Sequence, residues 1–151
     1  MKKVIPAKRV NWVRIELVRE KSVLYSKRTV NSPTDAVSLV KDMMESSDKE
    51  KLIVCSLNTK NEPTAIEVVS IGTLNSSLVH PREVFKSSIL NNANSIIVFH
   101  NHPSGDITPS SEDINITNRL KESGKILGIE VIDHIIVGQD NYCSLKEKGM
   151  L

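Results

Sequence analysis

The apolar run Ile96-Ile97-Val98-Phe99 leads without a break into His100-Asn101-His102, and Pro103-Ser104-Gly105 follows at once. Four consecutive apolar residues of this kind suit a strand buried on both faces, so a sheet with layers on either side is required. Seven residues separate His102 from Ser110-Ser111-Glu112-Asp113. From there Asp113, Ile116, Thr117 and Leu120 recur at i, i+3, i+4 and i+7, the inward stripe of a helix predicted over about 111–123. A buried strand, a tight turn and a helix are thus fixed in order. Two imidazoles stand at the strand's end, and a carboxylate stands in the helix's first turn.

The remaining elements follow from capping and alternation. Ser32-Pro33-Thr34-Asp35 opens a helix, with Ser32 as N-cap and Pro33 at the first helical position. Ala36, Val37, Leu39, Val40, Met43 and Met44 form its apolar face. After the polar break Ser46-Ser47-Asp48, a strand is predicted over 52–57, a hairpin loop over 58–63 and a return strand over 65–71. His80-Pro81 starts another helix through Val84, Phe85 and Ile89, with His80 as its starting residue. Strands are expected over 129–137 and at 142–145. This irregular mixture fits an α/β fold of the α+β mixed kind, a sandwich of sheet and helices, better than a doubly wound sheet.

Charge divides the chain. Residues 1–30 hold nine Lys or Arg against Glu16 and Glu20, a balance of +7 within a total of +2; residues 31–151 therefore carry −5. The domain expectation is a basic arm over 1–30 and one compact domain over 31–151. Alternation around Val13, Ile15 and Leu17 predicts a one-face-exposed edge strand at 12–20, open to pairing with a neighbouring copy. Such an arm also suits a polyanion, a weak nucleic-acid contact being the alternative. With aromatics at 3% and no base-stacking platform, the balance favours the edge strand. No stretch has the length of a membrane span or the form of a signal peptide. Cys55 and Cys143 form no C-x-x-C and read as reduced core thiols of a cytoplasmic protein.

Histidines at i and i+2 on a strand share a face, about 7 Å apart, and can converge on one ion. The turn at Gly105 then brings Asp113 back beside them as a third ligand. Two nitrogens and one oxygen, with a fourth position left to water, describe a catalytic zinc site, in which bound water acquires a pKa near about 7. A carboxylate is needed to move that water's proton, and Ser110 is placed to donate its hydroxyl to an oxyanion. Taken alone, Ser110-x-x-Asp113 reads equally as a helix capping box.

The segment His100-Asn101-His102-Pro103-Ser104-Gly105 with Pro109-Ser110 and Asp113 resembles the JAMM motif of the JAB/MPN+ metalloprotease superfamily. The strings Ser70-Ile71-Gly72-Thr73-Leu74-Asn75, Val79-His80-Pro81-Arg82-Glu83-Val84-Phe85 and Asp133-His134-Ile135-Ile136-Val137-Gly138 narrow the likeness to its RadC-like branch, once described as DNA repair proteins. The resemblance covers roughly 30–151. It implies a JAB-type fold with a central mixed sheet flanked by helices, and Zn2+ on His100, His102 and Asp113. It also implies Ser110 as transition-state donor and hydrolysis of an amide, peptide or isopeptide bond. The family's upstream glutamate, its general acid/base, falls at Glu50, with Glu67 and Glu83 as competitors. His134 is expected to hydrogen-bond or pack rather than ligate. Longer RadC-type proteins carry a helix-hairpin-helix DNA-binding region, and the arm here lacks its glycine-rich signature. The alternative function is a DNA-associated accessory domain acting through the basic arm.

Overall fold

A computed structural model describes residues 1, 3–45, 47–72 and 79–151. Lys2 of the basic arm, Ser46 of the polar break and Thr73-Leu74-Asn75 of the family string lie outside the described residues. The elements run α1 (Pro33–Met44), β1 (Lys51–Leu57), β2 (Pro63–Ile71), α2 (Pro81–Leu90), β3 (Ser95–Asn101), α3 (Ser111–Leu127), β4 (Glu130–Val137) and β5 (Tyr142–Ser144). The five strands form one sheet in the order β2-β1-β3-β4-β5. Only the β3–β4 pair is parallel, and α3 makes the crossover that parallel pairing demands. A mixed sheet flanked by three helices is the JAB/MPN-like arrangement the resemblance implied.

Each helix covers a definite face. Ile53, Cys55, Leu57, Ile97, Phe99 and Ile135 pack under α1, against Ala36, Leu39, Val40 and Met44. The alternate residues Leu52, Val54, Ile96 and Val98 pack under α2 and α3, against Val84, Phe85, Ile116 and Leu120. All seven residues of β3 are buried, which is why its run does not alternate. His100 has the parity of Ile96 and Val98, and so it faces α3. That parity sets up the site.

Two departures exceed a residue or two at an element's end. Helix α3 continues four residues beyond Ser123, through Gly124, to end at Gly128 in the left-handed conformation (φ 71°). Glycine at 124 is tolerated because a Cβ there would stand 2.4 Å from the Ile129 carbonyl and 3.3 Å from the Phe85 ring. Close approach of helix and strand takes the place of helix propensity. The second departure is a correction: residues 12–20 form no strand. Val13, Ile15 and Leu17 are 82, 69 and 46% exposed, so the alternation buries nothing. A strand is stabilised by its ladder and its covered face, and the arm here has neither.

Cys55 and Cys143 are free and buried, and burial pushes the Cys55 thiol up to about 12. Among the described residues no helix is long and apolar enough to cross a membrane.

Candidate metal centre

His100 is the penultimate residue of the buried strand β3 and His102 stands just past the strand's end, at 2% and 17% side-chain exposure. Asp113 occupies the N3 position of α3 and is buried. One nitrogen of each imidazole and one carboxylate oxygen lie within 4.8 Å of one another. The Nε2 atoms of His100 and His102 are 2.9 Å apart. Asp113 Oδ1 is 3.0 Å from His100 Nε2, and Oδ2 is 3.4 Å from His102 Nε2. The three predicted ligands therefore converge. Solvent reaches the cluster from the His102 side, since that is the one partly exposed ligand.

The far side of each ring is already committed. His102 Nδ1–H donates to the Asp106 carbonyl across the Pro103-Ser104-Gly105 turn. His100 Nδ1 lies 2.8 Å from His134 Nε2, and His134 Nδ1 lies 2.6 Å from Thr117 Oγ1. Thr117 Oγ1–H donates in turn to the Asp113 carbonyl at 2.6 Å. Only one set of tautomers satisfies this chain with a bare Nε2 on His100: each donor points onward, from His100 to His134 to Thr117 to the backbone of Asp113. Complete burial, with a smaller push from His100, holds His134 down to about 3, so it stays a neutral acceptor. His134 is thus a hydrogen-bonding residue, as expected, and it links two ligands through β4.

Two bare imidazole nitrogens and a carboxylate aimed at one point repel unless a cation lies between them. That donor set fits a divalent metal ion, with each histidine oriented through its other nitrogen as metal-binding histidines ordinarily are.

Both readings of Ser110-x-x-Asp113 hold together. Ser110 Oγ accepts from Asp113 N–H at 3.1 Å, and Asp113 Oδ2 accepts from Ser110 N–H at 2.7 Å, a complete capping box. Burial works to raise the Asp113 pKa. The adjoining His100 ring and the bond from the Ser110 amide prevail and hold it well below the usual carboxylate range. The Ser110 oxygen receives a bond in the cap, so its own O–H remains available to donate.

Register separates the three glutamates. Leu52 pairs with His100, the last pair of the β1–β3 ladder, and that register carried two residues past the ladder would bring Glu50 alongside His102, on the sheet face of Leu52 and His100. Glu67 shares that face but pairs with Val54, which pairs with Val98. It therefore lies two strands from β3 and a two-residue step below His100, about 10 Å or more from the cluster. Glu83 is exposed on α2, where Lys86 foremost lowers its pKa. Asp133 is buried away from the cluster and accepts from Ser144 Oγ and the His134 and Lys146 amides. His80 is the N-cap residue of α2 and makes no side-chain cap bond.

The family model for the RadC-like JAB domain matches residues 30–150. The chain belongs to that family. Its RadC-like sequence is 57% identical, over 122 residues, to the UPF0758 protein of Desulfitobacterium hafniense strain DCB-2, covering 81% of this chain and 54% of the relative. The UPF0758 protein of Clostridium botulinum strain Okra matches at the same identity and coverage. The chain spans about half the length of the curated relatives it matches.

Proposed function

We propose that this RadC-like domain is a zinc-dependent hydrolase of an amide, peptide or isopeptide bond. One observation carries the reading: His100 Nε2, His102 Nε2 and the Asp113 carboxylate aim at one point while both histidine Nδ1 atoms are tied elsewhere. Imidazole and carboxylate donors suit zinc, and three protein donors leave a coordination position for water. A zinc ion held there would polarise a carbonyl and lower the pKa of its water to about 7.

This chain's own residues supply the rest. Glu50, just ahead of β1 where that strand runs beside the histidines, takes the attacking water's proton and returns it to the leaving nitrogen. Ser110 O–H donates to the oxyanion that forms as the carbonyl is attacked. Asp113 holds the Ser110 amide, so ligand and donor are fixed in one turn of helix. His134 keeps His100 in its Nδ1–H tautomer. The two buried free thiols suit a reducing, cytoplasmic setting.

The test is a panel of peptide, isopeptide and small amide substrates, with Glu50→Gln beside the wild type. The variant should keep one zinc per chain and lose about 10²–10⁴-fold in turnover. Full zinc in a wild type that hydrolyses nothing on the panel overturns the hydrolase reading. Unchanged turnover in Glu50→Gln removes Glu50 from it.

A second reading, a DNA-associated domain, has one specific observation in its favour. Lys3, Lys8, Arg9, Arg14, Arg19 and Lys21 are all exposed on the arm, and Trp12 beside them is fully exposed. Counterion release would then make DNA binding fall steeply with salt. Neutralising Lys3, Lys8 and Arg9 together should lower the slope of log K against log salt by about 2–3. An unchanged slope removes this reading.

A further inference from the structure

We infer that Asn101, the residue between the two histidines, is a positioning residue for Glu50; the inference rests on the hydrolase reading above. The backbone ladder between β1 and β3 runs from Leu57↔Ser95 only as far as Leu52↔His100. Glu50 and His102 therefore stand past the last paired residues, where strand ends fray. Their separation cannot be held by the ladder.

The Asn101 side chain takes over at that point. Its Oδ1 accepts from the Lys51 N–H at 2.7 Å and its Nδ2 donates to the Lys49 carbonyl at 3.0 Å. The two bonds bracket Glu50 from both neighbouring residues. On the other flank the Glu50 carbonyl accepts from the Gly72 N–H at 2.8 Å. Residues 49, 50 and 51 are thus each fixed through the backbone, from β3 on one side and from the end of β2 on the other. Asn101 is itself 4% exposed, so its amide bonds face little competition from water.

The residue type follows from the task. One acceptor and one donor, a fixed short distance apart on a planar group, are needed to span the two peptide groups. Alanine offers neither. Serine has the polarity but cannot reach both. Because Asn101 is covalently joined to His100 and His102, the clamp ties the acid/base residue to the same three residues that carry two of the ligands. Small displacements at such a site cost rate steeply, which gives the clamp a function beyond tidying a strand end.

The experiment uses the full chain loaded with cobalt(II) in wild type, Asn101→Ala, Glu50→Gln and the double variant. Three quantities are read: cobalt stoichiometry, amide hydrogen exchange at Lys51, and the pH midpoint of the cobalt visible spectrum. Expected in Asn101→Ala are full cobalt, Lys51 exchange at least about tenfold faster, and slow exchange kept at Ile53–Leu57. Its spectral midpoint should move in the same direction as in Glu50→Gln, by at least half as much. In the Glu50→Gln background the Asn101 change should add nothing, the mark of acting through one residue.

A midpoint equal to wild type overturns the proposal. So does a shift that persists undiminished in the double variant, or loss of cobalt, which would make Asn101 part of the metal's own support. If Glu50→Gln leaves the wild-type spectrum unmoved, the role given to Glu50 falls and the inference with it, a result separable from failure of the clamp by Lys51 exchange. Asn101→Ser, polar but too short to span Lys49 and Lys51, replaces alanine should that variant not fold.

Discussion

Replacing His102 with alanine is expected to abolish stoichiometric zinc binding while leaving the fold intact. The expectation rests on what each ligand does besides binding metal. His100 is buried and bonded to His134, and Asp113 closes the capping box of α3. Changing either would perturb packing as well as coordination. His102 is part-exposed, lies beyond the end of β3 and belongs to neither large apolar cluster. Its loss removes one donor in three. If zinc contributes on the order of 10 kcal/mol, an even share is roughly 3 kcal/mol, a fall in affinity of at least about a hundredfold. Metal analysis of protein purified without chelator should read near one zinc for wild type and far less for the variant. The denaturant midpoint of the metal-free proteins should agree closely. Equal zinc content and affinity in His102→Ala would sink the assignment of the ligands.

The same distinction explains how much of the site could be read in the sequence. The candidate ligands were legible because each follows from local pattern: two histidines at strand spacing, and an aspartate on the inward stripe of a capped helix. Local pattern also fixed the starts of α1 and α3, since Ser32 and Ser110 cap them with their own hydroxyls. What local pattern could not show were contacts between distant segments. His134 meets His100 only because β4 lies parallel to β3 in a register that pairs Val98 with His134. Asn101 reads as filler between ligands until β1 is laid beside it. Glu50 was the glutamate the resemblance pointed to, with Glu67 and Glu83 as competitors, and only the pairing register shows that Glu67 sits on β2, beyond β1 from the histidines.

The arm failed for the complementary reason. Its alternation at 12–20 is real in the sequence, but alternation states only that a strand would be two-faced. It does not provide the neighbouring strand or the covering layer. With Trp12, Val13 and Val18 all more than 80% exposed, the segment keeps apolar side chains in water, where the isolated pattern has no structural consequence.

The second large effect belongs to His134, and it is a dependence on pH. In the fold this ring is held neutral down to about 3 by burial, whereas in the unfolded chain it titrates near the ordinary value of about 6.5. Below about 6.5 the unfolded state therefore takes up a proton that the folded state refuses, and stability falls as pH drops from about 6.5 towards 3. Above that window the stability is complete. Asp113 acts lower: its folded pKa is depressed, so its contribution is present above about 3.9 and is lost only as pH falls further. His134→Gln separates the two, because an amide can accept from His100 and donate to Thr117 without titrating. Metal-free His134→Gln should show a flattened stability profile between about 6.5 and 4, read as denaturant midpoints at several pH values. His134→Ala should behave differently. It leaves His100 Nδ1–H and Thr117 Oγ1 without their partner and opens a cavity at a residue only 1% exposed, costing about 2–4 kcal/mol at neutral pH. Its zinc affinity should drop about 10–100-fold, the usual penalty for removing the partner that orients a ligating histidine. A Gln variant whose acid limb matches wild type would mean that the proton uptake occurs elsewhere. An Ala variant with undiminished zinc affinity would mean that His100 holds its orientation without His134.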